Sequence, residues 1–304
     1  MTLVSTDFLD ALLTNFQAIF EQGYMEADKQ AQYKPFTLIV QSDAAKEVHS
    51  WLGAVPAMSQ WVDERKIYGL TPQALEVTNL DWESTFGVDR NTLADEKYNM
   101  IKYRIQQLAS RATTHIGGQI YKALNLGASA KAYDGVTFFN DARVDGDSGT
   151  LDNILAGDYS ADTTKIKTAL RAAIALMKNY KDCRGEPLDL SPDTIICNPA
   201  YELYFREALL PSIAGTVSPY GDLIKTIIST PHLTSGSNKD WVLICSANVL
   251  KPCLLQMREN PTLTSLDKPD SKDAFMKRQL YYGVNYRGAV SLLEPRTAIL
   301  VDCS

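Results

Sequence analysis

Three observations predict a mixed α+β fold. Residues 91–126 carry apolar side chains at helical spacing over about ten turns, residues 80–88 alternate as a strand with one apolar face, and most other strand-like runs fall late in the chain without regular βαβ alternation. The 304 residues, 45% hydrophobic and 22% charged, suffice for one large or two modest cores.

The first element is an amphipathic helix over residues 5–25, with Phe8, Leu12, Phe16, Ile19 and Phe20 on one stripe. That stripe docks either on its own domain or, as an arm, on a neighbouring copy. Lys34-Pro35 then turns the chain into an extended run over 36–40, and a short helix is expected over 42–52. In the next strand Leu80, Trp82, Ser84, Phe86 and Val88 share one face, while Asp81, Glu83, Thr85 and Gly87 share the other. Nearby sequence offers no third or fourth strand to cover it, so its apolar face and open edges seek a partner.

In the long helix Leu93, Tyr98, Ile101, Ile105, Leu108, Ala112, Ile116 and Ile120 repeat at three- to five-residue intervals, after a capping-box pattern at Thr92 and Asp95. At roughly 1.5 Å per residue it would span about 54 Å. Gly117-Gly118 is its expected point of bending, and Leu126-Gly127 its stop. Residues 128–160 are rich in Gly, Asp, Asn and Ser around a short strand at 136–139. Asp162 then caps a helix bearing Ile166, Leu170, Ala173, Ile174 and Met177. A buried strand follows at 193–197, a helix opened by Asn198-Pro199, and strands at 241–245, 254–257, 279–284 and 289–292.

A net charge of −6 opposes a basic groove for nucleic acid, leaving only weak contact without sequence preference. No apolar run reaches the roughly 18 residues that span a bilayer, so no membrane partner is expected. With His49, His115 and His232 alone, and no GxSxG elbow, a histidine-based hydrolase is disfavoured. His115 reads as a structural residue of the helix, since no second ligand stands at metal-binding spacing. Asp141, Asp145, Asp147 and Asp152 lack a calcium-loop pattern, because Thr150 and Ala156 occupy the places of its glycine and closing glutamate. No phosphate-cradling glycine motif occurs, and the five cysteines lack paired CxxC spacing, so buried free thiols and no metal or cofactor are expected. Large aromatics and arginine anchor protein interfaces, and Trp61, Arg65, Lys66, Tyr68 and Trp82 are read in that light.

The segment Trp51-Leu52-Gly53-Ala54-Val55-Pro56-Ala57-Met58-Ser59-Gln60-Trp61-Val62-Asp63-Glu64-Arg65 resembles the WLG..P.M..W...R stretch of the major head subunit of Mu-like bacteriophages. Leu9-Asp10-Ala11-Leu12 with Phe16 and Phe20 resembles that family's opening helix, and Glu83 through Asn91 its strand entering the long helix. Tyr133-Asp134-Gly135-Val136-Thr137-Phe138-Phe139 and Tyr282 through Ala289 are similar as well, whereas Asn140-Asp141-Ala142 stands where the family commonly has His-Pro.

The resemblance implies an HK97-type capsid fold: an N-terminal arm and connector over 1–64, an E-loop hairpin over 65–90, a peripheral domain with a spine helix over 91–160, an axial domain over 161–253, and strands returning to both over 254–304. It implies a non-enzymatic major capsid protein, building hexamers and pentamers of an icosahedral virion shell around double-stranded DNA after assembly in the host cytoplasm. Scaffold, maturation protease, portal and any decoration proteins are then expected as separate chains. Phe8, Leu12, Phe16, Trp61, Arg65, Lys66, Tyr68, Trp82 and Phe86 are the expected subunit contacts, with Lys66 the candidate for any cross-link. The alternatives are an encapsulin-like compartment and, in another class, a soluble α/β enzyme with a pocket at Cys197-Asn198.

Overall fold

A computed structural model describes residues 6–51, 73–89, 98–159, 162–210, 220–234, 238–266 and 276–303. Helix α1 (Thr6–Lys29) turns its apolar stripe inward, burying Phe16 and Phe20. A 3-10 turn at Lys34–Phe36, with proline in its first positions, delivers β1 (Thr37–Gln41).

Strands β2 (Lys46–Trp51) and β3 (Gln73–Thr78) form an antiparallel hairpin, paired from Lys46↔Thr78 to Trp51↔Gln73. The helix expected over 42–52 is therefore a strand. Backbone pairing with β3 decides a six-residue stretch whose own periodicity is weak, and the exposed Lys46–Glu76 ion pair adds little to it. Side chains pin the hairpin's foot. Asn79 Nδ2 donates to Ser42 Oγ at 2.9 Å and to the Ala44 carbonyl at 2.8 Å, Ser42 donates to Glu47 at 3.0 Å, and buried Gln256 donates to Asn79 Oδ1 at 2.9 Å.

Strand β4 (Leu80–Asp89) does not stand alone. It pairs antiparallel with β12 (Gln279–Leu292) from Leu80↔Gly288 to Asp89↔Gln279. The covering strands that nearby sequence could not supply come from the far end of the chain. Together with β11 (Cys253–Leu266) they complete a four-stranded sheet ordered β1-β11-β12-β4, in which only β1 runs parallel to its neighbour. The two late strands expected at 279–284 and 289–292 are one continuous strand.

Helix α2 (Tyr98–Asn125) runs 28 residues, about 42 Å at 1.5 Å per residue, and ends just before the predicted stop. Its expected cap at Thr92 lies outside the described residues. The helix continues through Gly117 and Gly118, which serve close packing: a Cβ at 117 would sit 3.1 Å from the Tyr33 ring and one at 118 would sit 3.0 Å from His232.

The strand expected at 136–139 reduces to one bridge, Lys131↔Thr137. Side chains take the carbonyls that a neighbouring strand would have taken: Asn153 Nδ2 donates to Phe138 O at 2.9 Å, and Arg143 donates to Thr137 O. Phe138 and Phe139 are thereby plugged edge-to-face into the core.

Short strands β5 (Arg143–Val144), β6 (Thr150–Leu151) and β7 (Ile154–Ala156) follow. Asp162 caps α3 (Thr163–Lys178), its Oδ1 accepting from the Thr164 amide at 2.7 Å. Beyond β8 (Thr194–Cys197), helix α4 (Glu202–Leu209) starts later than predicted. Asn198 instead closes a turn, accepting from the Ala200 amide at 3.1 Å. With β9 (Thr226–Ser229), β10 (Trp241–Ile244) and β13 (Ala298–Asp302), these build a second sheet ordered β7-β13-β10-β8-β9.

Alternation along the second sheet feeds two cores. Ile195, Leu243, Ile299 and Val301 meet α3 and α4, while Ile196, Val242, Ala298 and Leu300 face a central core shared with the C-terminal half of α2 and the hairpin. A third core joins α1, the N-terminal half of α2 and the first sheet through Phe16, Phe20, Ile105, Leu108, Tyr282 and Val284.

Candidate assembly surfaces

The sequence-predicted contact residues separate into three groups. Trp61, Arg65, Lys66 and Tyr68 lie outside the described residues. Phe8 falls in α1, and Leu12 is half-buried there. Phe16 is fully buried in its own chain, edge-on to the Tyr282 ring at 5.4 Å, so it is closed to a neighbour and α1 docks on its own body.

Trp82 and Phe86 are half-buried at the junction of β4 with α2. The Trp82 indole stacks on Tyr286 at 6.3 Å, meets the His115 ring at 4.7 Å, and donates from Nε1 to the Gly288 carbonyl at 3.2 Å. Phe86 packs on Tyr282 at 5.9 Å. One side of each ring is satisfied within the chain; the other opens into clefts along α2, of about 380 Å³ beside Trp82 and about 580 Å³ beside Phe86. His115 holds the structural place expected of it. Gln119 Nε2 donates to His115 Nε2 at 3.0 Å, and Nδ1 lies 2.7 Å from the Tyr286 hydroxyl. Burial, and secondarily the Lys122 charge, lowers its pKa.

Sequence reasoning missed a buried ionic cluster beneath the 126–153 loop. Arg143 Nη1 lies 2.9 Å from Asp134, and Arg296 pairs with Asp145 and with Glu294 at 3.3 Å while donating to Tyr133 Oη at 3.2 Å. Burial pushes the Glu294 carboxyl up, and Arg296 pulls it back. Asp145, one of the four aspartates without a calcium-loop pattern, is thus tied into a buried network. The one sequence signal was two arginines in otherwise apolar or glycine-rich surroundings, a pattern surface loops share.

Other apolar side chains are open to solvent on α4 and just past its end, where Leu203 is 76% and Leu210 61% exposed. Four cysteines are buried, and burial raises the thiol of Cys197 to about 12, which keeps it protonated and inert. The pocket imagined at Cys197-Asn198 therefore holds no nucleophile at that thiol.

Residues 9–162 and 218–293 match the family model described as Mu-like prophage major head subunit gpT. The Mu-like prophage FluMu major head subunit of Haemophilus influenzae is 26% identical over 151 residues, covering 48% of each chain. The major capsid protein of Escherichia phage Mu is 26% identical over 138 residues, covering 45% of each. The chain thus spans about half the length of the curated relatives it matches. Among solved structures, the procapsid of bacteriophage JBD30 matches at TM-score 0.55 with 20% identity, over 95% of this chain and 74% of that one. The capsid of the cyanophage P-SCSP1u matches at 0.61 with 9% identity, over 90% and 88%. At these identities the likeness is one of fold, and the fold is the HK97-type capsid fold.

Proposed function

The chain belongs to the family of Mu-like prophage major head subunits, and from this premise we infer that it is the major capsid protein of a tailed phage or prophage, tiling as hexamers and pentamers into an icosahedral shell around double-stranded DNA. The observation that carries the reading is the extent of the family match, which takes in α1, α2 and every strand of the four-stranded sheet.

The mechanism is geometric. Three cores hold the body together, the β2–β3 hairpin is fastened to it by its hydrogen-bonded foot and by Leu75 and Val77 in the central core, and modest contacts repeated over closed symmetry add up to a durable shell. In this reading Phe8, Leu12, Trp61, Arg65, Lys66 and Tyr68 meet neighbouring copies, while Trp82 and Phe86, satisfied on one side within the chain, offer only their open sides to any partner. Scaffold, maturation protease, portal and decoration proteins act as separate partners in the host cytoplasm before the shell becomes the virion wall. The net charge of −6 keeps packaged DNA from adhering strongly to that wall.

Co-expression with the scaffold and protease chains of the same phage, followed by electron microscopy and sedimentation, tests the proposal. Closed particles are expected. A species eluting as a monomer or dimer under those conditions overturns it.

A further inference from the structure

The clefts at the seam of β4 and α2 join into one groove. The cleft beside Phe86 shares Leu108 and Arg111 with the one beside Trp82, which in turn shares Trp82, Lys122 and Tyr286 with a third cleft of about 420 Å³. The floor is apolar and aromatic, and the two walls differ in charge.

The α2 wall is cationic. Residues 98–125 include Lys102, Arg104, Arg111 and Lys122 but no carboxylate, in a chain whose net charge is −6. At 100° per residue Arg104, Arg111 and Lys122 fall within about 20° of one another, in a row about 27 Å long. All three are exposed, and none has a carboxylate partner among the described residues. Arg104 makes only a 3.5 Å contact with Gln107. The facing wall is the rim of β4, with Glu83 and Asp89.

That rim is also a strand edge. β12 occupies one side of β4, and no strand among the described residues pairs with the other. Ten residues without proline leave a row of backbone donors and acceptors about 33 Å long, commensurate with the cationic row. A helix laid in the groove would cover the apolar floor but leave this edge unpaired; an extended segment satisfies both.

We propose that the groove takes an extended, carboxylate-bearing segment of a separate protein partner, added as a strand to β4, with apolar side chains on the Trp82–Phe86 floor and carboxylates against Arg104, Arg111 and Lys122. Charge favours a separate partner over a second copy. The other free edges among the described strands carry at most one carboxylate each, so no described strand of a second copy matches the row of three cations. The inference rests on the fold and not on the shell reading.

The probe is a labelled ten-residue peptide with leucine and glutamate alternating on one face and threonine on the other, titrated with unassembled protein by fluorescence anisotropy. Saturable, salt-sensitive binding is expected. It weakens at least about tenfold with the double variant Arg111→Glu/Lys122→Glu, and likewise when alternate peptide amides are N-methylated, which needs no protein variant. A twin peptide with lysine in place of glutamate is expected not to bind. Absence of saturable binding, equal binding by the charge-reversed variant, or retention after N-methylation overturns the proposal. So does loss of self-association in that variant when the peptide does not bind wild type, which would put a second copy in the groove.

Discussion

His115 Nδ1 lies 2.7 Å from the Tyr286 hydroxyl, a bridge between α2 and β12 beneath the Trp82 ring. His115 Nε2 accepts from Gln119, so the site is built for the neutral imidazole, and burial with the Lys122 charge lowers the pKa. The unfolded chain takes up the proton first, below about pH 6.5, so stability from this residue is full above that pH and falls as the solution is acidified through the window beneath it. Urea midpoints of the unassembled subunit between about pH 5 and 7.5 should show that decline, with a shallower slope in His115→Gln.

Asn153 is fully buried and occupied at both ends of its amide: it accepts from the Asn140 amide at 2.7 Å and donates to Phe138 O at 2.9 Å and Pro295 O at 3.1 Å. Asn153→Ala takes the side-chain partner from the buried Pro295 carbonyl and the half-buried Asn140 amide, and leaves Phe138 O only the longer 3.4 Å contact with Arg143. A loss of about 3 kcal/mol in denaturant unfolding is expected, the sum of partial desolvation penalties.

Gly146 has φ 59°, and a Cβ there would fall 2.3 Å from the Cys183 carbonyl oxygen, a backbone atom with no rotamer to yield. Gly146→Ala combines a left-handed backbone penalty with a collision, and should cost about 3 kcal/mol or more. Gly149, at φ 73° with open space around its Cβ position, is the control, where alanine should cost only about 1 kcal/mol. Thermal melts of the two variants side by side check the difference.

Trp82→Ala removes a half-buried ring with two aromatic neighbours and one hydrogen bond, for an expected loss of about 2 kcal/mol in the isolated subunit. Trp82→Phe keeps most of the stacking and gives up the bond to Gly288, costing about 1 kcal/mol. A subunit stability unchanged by Trp82→Ala would return this ring to the role of a free interface anchor.

Elements whose apolar period is complete within their own span were legible in the sequence: α1, α2, α3, β8 and β10 lie close to where periodicity puts them. Elements decided by distant pairing were not. β2 carries no strong period over its six residues and becomes a strand because β3 lies opposite, and the ladder partner of Leu80 is Gly288, far along the chain. The same divide runs through the site. The aromatic character of Trp82 and Phe86 was visible, but their enclosure depends on Tyr282 and Tyr286, some two hundred positions away. The Arg143 and Arg296 cluster was hidden because a charged side chain in a loop gives no sign in sequence that its partners are buried with it.

The order of elements also governs when a new subunit becomes usable. Phe16 of α1 packs on Tyr282 of β12, and β13 runs between β7 and β10 inside the second sheet. Until residues 279–302 have been translated, a nascent chain can lay its first helix on α2 but has an unfinished third core and a second sheet missing an inner member. If the chain tiles as proposed, truncated or unfinished copies would lack the outline a growing lattice accepts, and proofreading against defective building blocks would follow from the threading itself.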